Sequence, residues 1–158
     1  KMFQNQNFVE YSELSLNYLK DISKIIKRDS GGLLLIDYGY TDKKMKDTLQ
    51  AVSNHKFANI LNNIGNVDIT HRINFNLFKS FTKKMGDLKN NLTTQKHFLI
   101  KMGIEQRAEM ISKNQNFLKK ADIYYRLKRL IDKKQMGNLF KVMLIKKRDH
   151  KFNLGFKN

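Results

Sequence analysis

The residues best placed to do chemistry form one short run, Asp37-Tyr38-Gly39-Tyr40, directly behind the apolar stretch Leu33-Leu34-Leu35-Ile36. Four consecutive large apolar side chains without alternation predict a strand covered on both faces, as in a parallel sheet. In open α/β sheets ligands collect beyond the carboxyl ends of the strands, where loops and polar side chains converge. Asp37 therefore has two readings: a carboxylate offered to a ligand, or a turn residue, since Asp and Gly both favour turns. His55 stands alone, with no His, Asp or Glu three or four residues on to complete a metal pair. Asp68 and Thr70 lie in a short polar loop and are either site residues or partners of their own backbone; the sequence favours the second. Cysteine is absent, which excludes thiolate catalysis, disulfide scaffolds, zinc knuckles and iron–sulfur ligation together. No metal set is expected.

The elements that must position these residues are mostly helical. Leu16, Leu19, Ile22 and Ile26 recur at spacings of three and four, predicting a helix over 10–28 with Ser12 as N-cap. Gly31-Gly32 ends it and lies before the strand. A phosphate cradle needs glycine between a strand and the helix that follows, so this pair reads as a cap. Leu49, Val52, Phe57 and Ile60-Leu61 predict a second helix over 46–61. Gly65 opens a loop to Asn74, the expected N-cap of a helix over 75–85 closed by Gly86. Thr93 or Thr94 caps a short helix over 96–102, ended by Gly103. A long helical stretch over 105–134 breaks near 114–116, Gly137 ends it, and 139–145 is the second clear strand. In the helical stretch, Lys119, Lys120, Lys128 and Arg129 read as a solvated face in preference to a binding patch.

With 158 residues, 41% hydrophobic and 28% charged, the chain fits one folded domain and neither a disordered nor a membrane-embedded protein. No window approaches the roughly 18 consecutive apolar residues of a spanning helix. A net charge of +17 raises nucleic acid or an anionic surface as a partner. Yet 25 of the 31 cations are Lys and only 6 are Arg, whereas base readers lean on Arg for its planar fork. Lys, Asn, Ile and Phe share A/T-rich codons, so a biased genome produces the same mixture on any fold. No repeat or linker divides the chain. Two clear strands cannot supply the parallel neighbours that a doubly covered strand needs, so the chain reads as part of a larger sheet; Lys1 in place of an initiator Met agrees.

Read in order, five blocks resemble the carboxyl-terminal half of the MidA-like methyltransferases, S-adenosylmethionine-dependent enzymes of bacteria and mitochondria. Gly31 to Tyr40 is similar to that family's glycine, apolar strand and Asp-Tyr-Gly signature. Asp47-Thr48-Leu49-Gln50-Ala51-Val52 with His55-Lys56-Phe57 resembles its next block. Gly65, Asp68-Ile69-Thr70 and Phe75 resemble its Gly-x-x-Asp-Leu-Thr and terminal Asp-Phe. Thr94-Gln95, Phe98-Leu99, Gly103-Ile104 and Arg107 resemble its Thr-Gln-x-x-Phe-Leu run. Met136 to Val142 and Gly155-Phe156 resemble its final strand and chain end. The chain departs from the family at Asn74, where Asp is usual, at Ile64, where Pro is usual, and at Arg72, where Asp or His is common. The change at Asn74 keeps a cap and removes a charge.

The resemblance implies a doubly wound, Rossmann-like class I methyltransferase sheet, with residues 1–158 forming its carboxyl-terminal part and the amino-terminal cofactor-binding half absent. It also implies S-adenosylmethionine as cofactor and a protein arginine as methyl acceptor, with a respiratory complex I subunit as partner in the mitochondrial type. The location is then the mitochondrial matrix, or the cytoplasm of a bacterium. A guanidinium nitrogen attacks the sulfonium methyl, which demands alignment and carboxylates to orient the cation and take its proton. Asp37 is the implied orienting residue. Tyr38, Gly39 and Tyr40 wall the substrate pocket, and His55, Asp68, Thr70 and Gln95 are lesser candidates. None of the eight glycines forms a Gly-x-Gly, so no cofactor-binding residue is expected in this chain and none of its own affinity for the cofactor. Neither specific nucleic-acid binding nor membrane insertion is expected. Two other readings stand beside this one: a basic, helix-rich module for nucleic acid or an anionic surface, and an inactive methyltransferase-like scaffold.

Overall fold

The computed structural model describes residues 5–54, 56–62 and 64–156. The first helix, α1 (Glu13–Asp29), begins where Ser12 accepts a hydrogen bond from the Ser15 amide and ends as Ser30 and Gly31 take φ of 69° and 99°. It delivers the chain into β1 (Gly32–Tyr40), whose long neighbour is the antiparallel β7 (Phe140–Lys147). Between them come β2 (Gln50–Ser53), β3 (Lys56–Ala58), β4 (Asp68–Thr70), β5 (Ile73–Asn74) and β6 (Leu88–Thr94). The main sheet has the order β5-β1-β7-β6; β5 is parallel to β1, and β6 is antiparallel to β7. A second, three-stranded sheet has the order β3-β2-β4.

The core lies between the main sheet, α1 and α2 (Phe75–Lys84). Leu19 and Ile26 of α1 meet Phe75, Leu88, Met143 and Ile145, with Leu33 and Leu35 packed against them. Asn74 caps α2 through the Leu77 amide, and Gly86 at φ 68° ends it, as its sequence predicts. The remaining helices are α3 (Gln95–Lys101), α4 (Ile104–Ser112), α5 (Phe117–Ile131) and α6 (Met136–Leu139). Thr94 caps α3, and the expected break before α5 is the turn at which Asn116 caps that helix through the Lys119 amide. Among the described residues no helix is long and apolar enough to cross a membrane.

Three expectations are corrected, and one strand is added. The described residues of 46–61 are not helical: β2 and β3 pair antiparallel with Ser53 opposite Lys56, and Asn54 takes φ 50°. Ala51, 1% exposed, sits in the centre of that small sheet between Ala58 and Ile69, so tertiary pairing overrides a spacing that imitates a helical stripe. Gly137 lies within α6 and does not end α5, which stops at Ile131; a Cβ at position 137 would come within 2.4 Å of the Ile131 carbonyl oxygen. The strand β6 was not legible, because its Lys89-Asn90-Asn91 centre is polar. Finally, β1 is covered on one face only. Leu34 and Ile36 are 45% and 49% exposed, and among the described residues the edge opposite β7 is paired solely at Gly39 and Tyr40.

Candidate functional site

Strand alternation carries Leu33, Leu35 and Asp37 to the same face of β1. The first two anchor the strand in the core; the third emerges where α1 and α2 begin. There the structure forms a half-open cavity of about 370 Å³, lined by residues 10–12 and Ser15, Asp37 and Tyr38, residues 69–74, and Leu77 and Phe78. It lies against the carboxyl-terminal half of β1, close to the strand end at which ligands collect in open α/β sheets.

Two carboxylates face this space. Asp37 accepts a hydrogen bond from the Tyr38 amide at 2.7 Å, and no other donor reaches it among the described residues. Glu10, whose side chain is 15% exposed, accepts from the Thr48 amide at 3.1 Å and from the Thr48 hydroxyl at 2.8 Å. The same hydroxyl oxygen accepts from the Arg72 amide at 2.8 Å, and His71 Nδ1 lies 3.9 Å from the second Glu10 oxygen. The loop before β2, the loop after β4 and the segment before α1 are thus joined through one part-buried carboxylate. Nothing in the local sequence marks Glu10, because its partners lie 38 residues and more along the chain.

The other predicted residues separate into distinct environments. Tyr38 contributes to the lining, and its ring stands edge-on to Phe140 at 5.7 Å. Thr70 also lines the cavity and accepts from Gln50 Nε2 at 3.1 Å. Tyr40 lies outside the lining: its hydroxyl accepts from the Lys46 amide at 3.2 Å, and Lys46, paired with Asp42, sits 5.6 Å from its ring centre. Gly39 is buried; a Cβ there would lie 2.2 Å from the Ile73 carbonyl oxygen and 2.8 Å from the Phe75 ring. Asp68 is exposed on β4. Gln95, 6% exposed, donates to the Leu130 carbonyl at 2.9 Å and ties α3 to α5. His55 lies outside the described residues.

Cations stand near the cavity as well. Arg72 contributes to its lining, and Lys141 pairs in register with Asp37. Burial pushes the Lys141 ammonium below its usual range, the Arg72 charge adds to this, and Asp42 opposes it. Among the described residues no group of three His, Asp or Glu forms a metal site. Two carboxylates beside tyrosine and phenylalanine walls suit a planar organic cation, which takes paired charge-assisted hydrogen bonds and stacks on aromatic faces.

The chain superposes on a crystal structure of an uncharacterised protein from Burkholderia thailandensis with a TM-score of 0.71 at 22% identity, over 98% of this chain and 41% of that one. A second structure from the same organism, bound to S-adenosyl-homocysteine, gives 0.69 at 23% identity, over 94% and 38%. Both show the fold to be that of class I methyltransferase-like proteins. The mitochondrial protein arginine methyltransferase NDUFAF7 of Danio rerio is 29% identical over 125 residues, 77% of this chain and 28% of that protein. Its Drosophila melanogaster homologue is 30% identical over 128 residues, again 77% and 28%. The chain therefore spans less than a third of the length of these relatives. A family model described as "putative S-adenosyl-L-methionine-dependent methyltransferase" matches residues 1–94, more than half of the chain. The chain belongs to this family of S-adenosyl-L-methionine-dependent methyltransferases.

Proposed function

We propose that the chain is the carboxyl-terminal part of a methyltransferase that modifies an arginine of a protein, and that the cavity below Asp37 receives the guanidinium. The observation that carries this reading is the pair of carboxylates, Glu10 and Asp37, lining one half-open cleft in a chain of net charge +17. A basic protein that keeps two acids turned into a cavity is arranged to hold a cation there. The names of the relatives, protein arginine methyltransferases, support the same class of substrate. The resemblance to the mitochondrial proteins extends the proposal to a respiratory complex I subunit as substrate and to the matrix as location, with the cytoplasm the counterpart in a bacterium.

The cofactor S-adenosylmethionine belongs to the proposed whole protein, and the described residues do not fit it. No Gly-x-Gly turn follows a strand, and β5 runs straight into α2 with Asn74, not glycine, at the junction. The open edge of β1 supports a further parallel strand from outside this chain, which is where a cofactor-binding half would join. Within the cavity, Glu10 is held rigidly by Thr48 and orients the cation, while Asp37, with one oxygen committed to the Tyr38 amide, takes the proton that the guanidinium sheds. Tyr38 and Thr70 shape the wall.

The test has two parts. Calorimetry on the 158 residues is expected to detect no binding of S-adenosylmethionine, and micromolar binding would overturn the half-protein reading. In a longer protein that contains this chain, tritiated methyl label should appear on arginine. The substitution Asp37→Asn should lower kcat by about 10²-fold or more, as expected when a proton acceptor is lost. Label on lysine, or full activity in that variant, would refute the assignment.

A further inference from the structure

The hairpin of α4 and α5 carries an apolar surface that neither the core nor the candidate cavity uses. No residue of α5 is buried. Its inner side, Ile123, Leu127 and Leu130, faces α4 around a small apolar groove. Its outer side is apolar at Leu118, Ala121 and Tyr125, which follow one another at spacings of three and four with Phe117 beside them, and the stripe ends at the cation Lys128. Phe117 is 82% exposed, more than any other large apolar side chain among the described residues; Leu118 is 76%, Tyr125 69%, and Met110 at the end of α4 71%. Such a group at the tip of a helical hairpin is costly in water and marks a contact surface.

The charge around it identifies the occupant. Residues 113–129 hold six cations and a single acid, Asp122, which is already paired with Arg126. Lys113, Lys119, Lys128 and Arg129 are all exposed. We propose that this hairpin tip docks on an anionic lipid bilayer, Phe117 and Leu118 entering the acyl boundary while the lysines meet the headgroups. Large apolar side chains this exposed beside a helical turn, with cations around them, suit the deformable boundary between acyl chains and anionic headgroups. Nucleic acid would stack on Phe117 and Tyr125 but offers nothing to Leu118 and Met110. Lysine, a mobile point charge on a long stem, is suited to headgroups at the interface.

The chain has no tryptophan, so Phe117→Trp creates a single reporter at the tip. Its emission should shift to the blue on adding phosphatidylcholine vesicles with about 30% phosphatidylserine, and not with pure phosphatidylcholine. At about 0.15 M salt the unsubstituted chain should sediment with the anionic vesicles. The double substitution Phe117→Ser/Leu118→Ser should weaken binding about tenfold or more. Because both side chains are exposed, its melting temperature should hardly move; if it does fall, Tyr125→Ser serves as the second variant and should weaken binding in the same direction. Undiminished binding by a folded variant would show diffuse charge alone and overturn the proposal. So would absence of binding at that salt, or tight oligouridylate binding that Phe117 and Leu118 control while vesicles are ignored.

Discussion

Replacing Gly39 by alanine tests how the strand carrying Asp37 is seated. The added Cβ would lie 2.2 Å from the Ile73 carbonyl oxygen and within 2.9 Å of two atoms of the Phe75 ring, where ordinary contact begins near 3.4 Å. One of these neighbours is backbone and the other is a fully buried side chain, so neither yields by a simple rotamer change. Relief requires β5 to move by about 1 Å, and β5 has only two register pairs to β1, Gly39 with Ile73 and Tyr40 with Asn74. Asn74 also caps α2. Overpacking of this kind costs about 1–3 kcal/mol, and disturbing the cap adds about 1 kcal/mol. At about 2–4 °C per kcal/mol for a chain of this size, Gly39→Ala should melt about 5–15 °C below the parent. Thermal unfolding followed by circular dichroism, with a urea midpoint as a second measure, checks this. The control is Gly32→Ala at the other end of β1, where the nearest atom is 3.1 Å away and a small shift suffices. Equal stability of the two variants would refute the close approach of β5 and, with it, the proposed wall of the cavity.

Four further outcomes follow from named contacts. Gln95→Leu removes the bond to the Leu130 carbonyl and should cost about 1–2 kcal/mol, read as a lower melting temperature; an unchanged melt would free Gln95 for a role in binding. Asn74→Ala strips the cap from the Leu77 amide and should cost about 1 kcal/mol, while Asn74→Asp should cost less because the capping oxygen remains. Lys146, whose ammonium donates to the His150 and Phe152 carbonyls, is pushed below the ordinary lysine value of 10.5 by burial, with the Lys89 charge adding to it. The folded chain then holds that proton less tightly than the unfolded chain, so stability rises as pH climbs toward 10.5; the melting-temperature advantage over Lys146→Met should widen with pH, and a narrowing would contradict it. An unpaired apolar edge invites other chains, so Leu34→Lys should reduce self-association of the 158 residues in sedimentation velocity, and no change would remove β1 as the cause.

Where local chemistry decides an element, the sequence makes it legible. Ser12, Asn74 and Thr94 stand before amphipathic runs, and each caps the helix expected of it. The antiparallel pair β2 and β3 was hidden because Leu49, Val52 and Phe57 happen to fall at near-helical intervals. Ala51, the residue that the small sheet buries, carries no signal of its own. The strand β6 was hidden for the opposite reason. Its Asn90 and Asn91 are poor strand formers, held by the ladder to β7 and by side-chain bonds to the Lys79 carbonyl and to Asn153. In the candidate site, Asp37 was legible because it follows an apolar run, although the strand continues past it to Tyr40. Glu10 was not, because what brings it to the cavity is Thr48, a contact that only the folded chain makes.

The two faces of β1 explain why one strand is both the anchor of the site and its exposed boundary. Leu33 and Leu35 are fixed by α1, α2 and the core side of β7, and that parity delivers Asp37 to the cavity. Leu34 and Ile36 have the opposite parity and stand in register with Leu144 and Val142, which are buried, so the far face is covered over β7 and bare over β1. A one-residue slip of β1 against β7 would turn Asp37 away from the cavity and bring Leu34 and Ile36 into the core. Gly39 opposes such a slip, since the close contact with Ile73 leaves no room for a side chain at that point of the strand. The order of residues from Leu33 to Gly39 therefore fixes the direction in which Asp37 faces, while leaving the other edge and face open to a further strand.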